Sequence, residues 1–307
     1  LRPWANAIKC VEPDAEVIIR GQSAYEFEAR LEVREMLGNV LPLEIPHSEV
    51  FRGFPKFFLI LNIPNVEAWN ILSHALIAHE VGHFIFLRLQ LADIARRVFE
   101  DHLTEIETFH RDSGEGGEFD KFKEFWAGAV TSRFKELMSD VFGAKLVGPC
   151  ILPALRDFGL PGHALDFTRA DRKMFYEYPS FRQRFGLLLE SLKPFWEGTF
   201  RIEDPVVDNQ VLHRALADMK TFGAHVRANR PGKGLMDRIL DECVREAKVK
   251  VQEEPTEWAY DPAVFRDEVF ELFNRMRSGV PPNEVVRSSL GNPRPAAWQS
   301  VLNAAWL

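Results

Sequence analysis

The chain has 307 residues, of which 46% are hydrophobic and 12% aromatic. This is enough apolar material for one large core or two smaller ones, so a folded globular protein is expected. The 38 basic and 45 acidic residues give a net charge of −7, and no long run of Lys or Arg occurs. A nucleic acid is therefore not an expected partner.

The apolar runs are too short to predict a transmembrane segment. The stretches 57–66 and 68–79 end at Glu67 and Glu80, before the ~18 residues that a spanning helix needs. The sequence shows no charged segment followed by an apolar one, so it does not predict a signal peptide. The cysteines are few, odd in number and far apart, which predicts reduced and buried thiols; they are Cys10, Cys150 and Cys243. A cytoplasmic location is expected from this pattern.

The first 63 residues predict a mixed α/β region. Residues 16–20 are typical of a short strand, and residues 24–37 of a charged amphipathic helix. Residues 56–63 are rich in strand-forming side chains and end at Pro64, which predicts a second strand. Asn65 is then the predicted N-cap of the next helix. A strand edge beside a catalytic site can hold an extended peptide by pairing with it.

The next segment contains the sequence HEVGH at residues 79–83. The apolar residues from 71 to 91 predict a helix that is buried on nearly every side. Residues four apart share a helix face, so His79 and His83 point at the same spot while Glu80 stands beside it. Buried polar side chains need partners, and a metal ion is one. The motif predicts a zinc site in which Glu80 is the general base.

Downstream of the motif the pattern is helical, interrupted by Pro and Gly. Residues 111–120 contain three glycines among acidic residues, which predicts a loop. Gly148 and Pro149 are expected to end the helix that precedes them, at residue 147. The fold class predicted is α+β and predominantly α-helical, with a small N-terminal β-sheet. Helices are predicted over residues 93–110, 121–147, 168–177, 181–195, 209–228, 233–251, 261–277 and 296–305.

Breaks in this pattern divide the chain into three parts. Residues 1–63 are the mixed α/β part of a catalytic domain, and residues 64–200 are its zinc-binding core. Residues 201–307 form a helical C-terminal region. That region carries no chemical motif, and we expect a protein partner, if there is one, to bind there.

A catalytic zinc takes three protein ligands and keeps a position open for water. A third histidine six residues after His83 is excluded because that position is Leu89. Glu136 is the favoured third ligand, since small residues on its helix face would allow a close approach to the motif helix; these are Ala129, Ser132, Ser139 and Gly143. One turn further, Asp140 can accept the second ring N–H of a zinc histidine. Alternatives on a charged amphipathic stretch are His102, Glu105, Glu107 and His110.

Taken together, His79-Glu80-x-x-His83 and Glu136-x-x-x-Asp140 resemble the two motifs of the gluzincin clan of zinc metallopeptidases. The resemblance implies a zincin-like catalytic core. It also implies that Glu136 is the third zinc ligand and that Asp140 supports the first histidine.

A third segment, residues 178–184 (YPSFRQR), is similar to the His-Pro-Pro-x-x-x-Arg segment of the HtpX and CAAX prenyl endopeptidase family. In that family the His and Arg lie near the metal and assist the oxyanion. The resemblance implies this role for Tyr178, which stands where the family has His, and for Arg184. It covers residues 65 to about 189.

The function expected from these residues is that of a zinc-dependent endopeptidase, a hydrolase acting on a peptide or protein substrate with Zn²⁺ as cofactor. The alternative is a catalytically silent pseudoprotease in which zinc is structural and the protein serves as a binding or regulatory module. Glu80 argues against the alternative because a structural site needs no base. Structural zinc also usually takes four protein ligands, commonly cysteines.

Overall fold

The computed structural model describes most of the chain, with gaps. Its described residues form a predominantly helical α+β structure, and this part of the sequence prediction is confirmed. The described segments are residues 2–23, 28–30, 58–67, 70–113, 117–159, 178–179, 181–196, 233–253, 257–282, 284–286 and 293–306. The helices predicted over 168–177 and 209–228 lie outside them.

The helices and strands follow one another in this order: α1 Arg2–Val11, β1 Glu16–Gln22, β2 Glu28–Arg30, β3 Phe58–Pro64, α2 His74–Arg88, α3 Ala92–Asp101, α4 Leu103–Ser113, α5 Phe119–Val147, α6 Ile151–Gly159, α7 Phe181–Ser191, α8 Lys193–Trp196, α9 Lys233–Gln252, α10 Pro262–Arg277, β4 Glu284–Val286, β5 Pro293–Pro295 and α11 Trp298–Trp306. The continuous helix predicted over 93–110 is two helices that meet at His102. The loop predicted over 111–120 is wrong at both ends, because α4 continues to Ser113 and α5 already begins at Phe119.

A small sheet lies near the N-terminus, with β3 between the other two strands. β1 pairs with β3 in parallel and β2 pairs with it antiparallel. The strand predicted at 16–20 is confirmed as β1, and the one predicted at 56–63 is confirmed from residue 58 as β3; residues 56 and 57 lie outside the described residues. The helix predicted over 24–37 is wrong at Glu28–Arg30, because backbone pairing with β3 makes these residues a strand. The rest of that predicted helix lies outside the described residues.

The motif helix α2 begins later than predicted. Asn65 opens a short 3₁₀ turn rather than an α-helix, and a second 3₁₀ turn, Ile71–Ser73, precedes His74. Hydrogen bonds of Asn70 hold this connection: its side chain accepts from the backbone N–H of Leu72, at 3.2 Å. Beyond this point the buried character of α2 is confirmed, since most of its side chains are buried.

Helix α5 is the longest described helix, at 29 residues. It ends at Val147 and is capped by Gly148, whose φ of 76° favours glycine, and Pro149 follows. The segment Phe119–Leu155 is long and apolar enough to cross a membrane, but 89% of its most apolar stretch is buried inside the protein. Counting uninterrupted apolar runs overlooks this segment because isolated charges divide it. Its burial is that of a core helix, so it is weak evidence for a membrane.

The last helix, α11, makes hydrogen bonds at the C-terminal end of α5 and just before the start of α2. Asn303 Nδ2 donates to Val147 O at the end of α5, at 2.6 Å, and Asn303 Oδ1 accepts from Cys150 N at 2.8 Å. Trp306 Nε1 donates to Leu72 O, just before α2, at 3.2 Å. Buried apolar residues of α9, α10 and α11 join the same core as those of α2 and α5. The division into three parts stays a prediction.

The cysteines are all free thiols. Cys150 and Cys243 are buried, and their surroundings raise the pKa of both thiols, chiefly by burial. The prediction of burial is wrong for Cys10, which is exposed because it lies on the outer face of α1.

His102, at the junction of α3 and α4, links this corner of the core to α9. Its Nδ1 lies 3.1 Å from Glu105 Oε1 and its Nε2 lies 2.9 Å from Glu242 Oε2. A neutral imidazole has one N–H, so only the protonated ring can donate to both carboxylates. The hydrogen bond to Glu242, opposed by burial and aided by Glu105, raises the pKa of His102.

The raised pKa of His102 predicts that this residue makes a pH-dependent contribution to folding stability. Because the folded pKa is raised, the contribution is complete below the unfolded value of ~6.5 and is lost as pH rises through the folded pKa. The free energy of unfolding, measured by urea titration across pH, should therefore show a cost of His102→Gln that shrinks as pH rises. Thr108→Ala on α4 is the control, since the Thr108 hydroxyl donates to Thr104 O at 2.9 Å and does not titrate, so the cost of its loss should not vary with pH. A cost of His102→Gln that stays constant or grows with pH would contradict the prediction.

Candidate metal centre

The centre lies where α2 crosses α5, and the two backbones are nearly in contact there. A Cβ added at Gly82 would lie 2.5 Å from Ser139 O and 2.7 Å from Ser139 Cα, closer than real side chains come. One turn away on α5, a Cβ at Gly143 would lie 3.3 Å from the backbone of Ala78. The close approach predicted from small residues on α5 is confirmed at Ser139 and Gly143. Its partner on α2 is Gly82, inside the motif itself.

This crossing brings the two motif histidines together with Glu136. The rings of His79 and His83 meet edge to face, with centroids 4.8 Å apart and an angle of 83°. Glu136 Oε2 lies 3.3 Å from His79 Nε2, and Glu136 Oε1 lies 3.6 Å from His83 Nε2. Both Nε2 atoms thus face one carboxylate on the neighbouring helix.

Glu80 belongs to the same cluster. One possible ligand atom from each of His79, Glu80 and His83 lies within 4.8 Å of the others, so these three residues form a group that can hold a metal ion. Two carboxylates therefore border the histidines, Glu80 from α2 and Glu136 from α5. Glu136 approaches both Nε2 atoms from across the crossing, as an opposing ligand would. Glu80 is the neighbour of His79 on its own helix.

Asp140 is fully buried and lies behind His79. Its Oδ1 is 2.8 Å from His79 Nδ1. Arg184, from α7, donates to the same carboxylate through Nε to Oδ2 at 2.6 Å and through Nη2 to Oδ1 at 2.8 Å. Burial opposes the charge of Asp140, but Arg184 and His79 outweigh it and hold the pKa of this carboxyl well below its usual range. The ionised carboxylate orients the His79 ring so that Nε2 faces Glu136.

The electrostatics of the cluster favour a cation. Burial opposes protonation of His79, but Asp140 and Glu136 outweigh burial and raise its pKa to about 10. Burial, together with repulsion from His79, lowers the pKa of His83 to about 3. Burial also works against the charge of Glu136, yet its hydrogen bond to His79 brings its pKa down to about 2. The carboxylates stay ionised at neutral pH, and a bound metal ion would take the place of the proton on His79.

Ser139 holds the other histidine. Its Oγ lies 2.7 Å from His83 Nδ1, although the sequence indicated it only as a small residue at a helix contact. The one sequence signal for this contact is that Ser139 is small and polar and directly precedes Asp140.

The segment 178–184 has two different environments. Tyr178 is 41% exposed, whereas the Arg184 side chain is only 13% exposed and is bound to Asp140. Burial opposes the charge of Arg184, but Asp140 above all, with Glu136 and Tyr178, raises its pKa. The structure thus shows Arg184 supporting Asp140. An oxyanion role for Tyr178 and Arg184 stays a prediction.

The alternative ligands predicted from 102–110 lie elsewhere. His102 and Glu105 pair with each other and with residues of α9. Glu107 is exposed and pairs with Arg111 on its own helix, and His110 stacks on aromatic rings. None of them has a contact with His79 or His83 among the described residues.

The donor set fits a metal ion that prefers nitrogen and oxygen ligands. It offers two imidazole nitrogens and a carboxylate, and the second ring nitrogen of each histidine has its own hydrogen-bond partner. No protein-family model, curated protein or solved structure matches this chain. What this chain does is therefore inferred from the geometry of this centre.

Proposed function

We propose that the protein is a zinc-dependent endopeptidase. The observation that carries the proposal is the convergence of His79 Nε2, His83 Nε2 and the Glu136 carboxylate, with Glu80 in the same cluster. Two histidines and one carboxylate are a ligand set typical of catalytic zinc, and they leave a position for water. Cysteines, the usual ligands of structural zinc, are not part of this cluster.

The proposed mechanism gives each residue of the centre a role. His79, His83 and Glu136 would hold zinc, which when bound would supply a Lewis acid for the scissile carbonyl and lower the pKa of water. Glu80 accepts the proton from the attacking water and delivers it to the leaving amine. Asp140 keeps His79 in the orientation that ligation needs, and Arg184 keeps Asp140 ionised.

Stabilisation of the oxyanion completes the proposed mechanism. Tyr178 is the proposed donor, because it is half-exposed beside Arg184. Arg184 contributes its positive charge to this side of the centre while its Nε and Nη2 are bound to Asp140.

The sheet offers a place for an extended peptide. β3 is the central strand, so it cannot be the edge that receives a substrate. β2 is at the edge of the described sheet and contacts α2. We propose that a substrate pairs with β2 and runs toward the metal centre.

The proposal is tested by adding and removing the metal. Elemental analysis of the purified protein should find one zinc per chain. Chelation should abolish the appearance of new N-termini in a cell-derived peptide mixture, and added zinc should restore it. The control is the same incubation with zinc and no protein.

Two results would contradict the endopeptidase. Cleavage that persists in the fully metal-free protein would exclude zinc from the reaction. Stoichiometric zinc with no cleavage of any peptide in the mixture would instead favour the zinc-binding pseudoprotease.

A further inference from the structure

Ser139 makes two hydrogen-bond contacts with one hydroxyl. The side chain is fully buried. Its Oγ lies 2.8 Å from the carbonyl oxygen of Lys135, one turn earlier on α5, and 2.7 Å from His83 Nδ1 on α2.

The proton count decides the direction of these bonds. A carbonyl oxygen can only accept, so the hydroxyl hydrogen must point at Lys135 O. That hydrogen is the only one on Oγ, so the contact with His83 needs a proton from the imidazole. His83 Nδ1 is therefore the N–H donor, and Ser139 Oγ is the acceptor.

This assignment fixes the other nitrogen of His83. In a neutral imidazole, an N–H at Nδ1 leaves Nε2 with a lone pair, as a metal ligand requires. The competing tautomer would carry the hydrogen on Nε2, which lies 3.6 Å from Glu136 Oε1, and it would have no lone pair there. In that competing tautomer Nδ1 would be an acceptor, as Lys135 O is. The Ser139 hydroxyl has one hydrogen, so it could donate to only one of the two.

We propose that Ser139 is a positioning residue that sets the tautomer of His83 and thereby prepares it to bind the metal. The inference deepens the proposed function, because it depends on His83 being a zinc ligand. The two histidines are then held by different means. A carboxylate, Asp140, holds His79, and a hydroxyl that is itself oriented by the backbone of α5 holds His83.

Nitrogen NMR of the metal-free protein tests the tautomer directly. Long-range ¹H–¹⁵N spectra of ¹⁵N-labelled wild type should show His83 with a protonated Nδ1 and an unprotonated Nε2. In Ser139→Ala this preference should be lost, and zinc affinity, measured by competition with a chromophoric chelator, should fall by ~10- to 100-fold.

Thr131→Ala is the matched control. Thr131 Oγ1 donates to Ala127 O on the same helix at 3.0 Å, which is the same kind of bond without a histidine. Its loss should leave the His83 tautomer unchanged and zinc affinity within about twofold of wild type.

A wild-type spectrum with the hydrogen on His83 Nε2 would overturn the inference without the need for any variant. Zinc affinity in Ser139→Ala equal to that of Thr131→Ala would also overturn it. Failure of the endopeptidase proposal looks different. In that case the wild type shows the expected tautomer and binds zinc through His83, but cleaves no peptide.

Discussion

Glu80→Gln is expected to reduce kcat/KM for peptide cleavage by ~10²- to 10⁴-fold, the usual contribution of a general base. Glutamine has the same shape as glutamate but cannot accept the proton of the attacking water. Zinc content and thermal stability should stay at their wild-type values, because Glu136, whose carboxylate faces both histidine Nε2 atoms, still holds the metal with them. The measurement is cleavage of a fixed peptide by protein of verified zinc content.

Glu124→Gln is the control, since Glu124 is an exposed residue of α5 and its change should leave cleavage unaltered. Wild-type cleavage by Glu80→Gln would exclude Glu80 as the base. Zinc content distinguishes the two carboxylates of the cluster. Loss of zinc in Glu80→Gln, with zinc retained in Glu136→Gln, would show that Glu80 is the ligand and would reverse the assigned roles.

Gly82→Ala is expected to destabilise the fold and to weaken the metal centre together. The new Cβ would lie 2.5 Å from Ser139 O and 2.9 Å from Ser139 C, and these backbone atoms belong to a helix that cannot yield locally. The helices must separate, at a cost of ~1–3 kcal/mol in the free energy of unfolding, typical of overpacking. Because Glu136 and the histidines lie on opposite sides of the crossing, zinc affinity should fall as well.

Gly128→Ala is the matched control on α5. Gly128 is exposed, and a Cβ there meets nothing within 4 Å. Alanine should therefore raise the free energy of unfolding by ~1 kcal/mol or less, through helix propensity. Urea titration and chelator competition measure both quantities for both variants. If Gly82→Ala were as stable as wild type and bound zinc equally well, the close crossing of α2 and α5 would not be needed for the site.

Several features of the centre follow from spacing along a helix alone. His79 and His83 are four residues apart, as are Glu136 and Asp140, so each pair shares a face whatever the fold. The small residues near Glu136 also predict a close helix contact, and Ser139 and Gly143 confirm it. These inferences succeed because they depend only on helix periodicity.

The sequence around β2 also carries a pattern that fits a strand. From Tyr25 to Arg30, apolar and charged residues alternate, and this period of two is typical of a strand. The density of charges favoured an amphipathic helix instead. Pairing with β3 decides the matter at Glu28–Arg30, because backbone hydrogen bonds to a neighbouring strand outweigh a weak local preference.

The start of α2 shows a different limit of sequence patterns, which is that they do not predict the first residue of a helix. Asn65 is a favourable N-cap in isolation, yet the helix begins nine residues later, at His74. The side chains of Asn70 and Ser73 bond to nearby backbone groups and stabilise two short turns first. Local hydrogen bonds of this kind compete with helix formation, and the sequence pattern does not rank them.

The sequence by itself determined the predominantly helical class, the small-residue face of α5 and the pairs of polar residues four apart. Only the tertiary structure decided which polar groups meet. Arg184 reaches Asp140 across 44 positions of the chain and Ser139 reaches His83 across 56. Helix periodicity sets the face on which a residue lies, whereas the partner depends on the crossing of α2 and α5, which Gly82 permits through its lack of a Cβ.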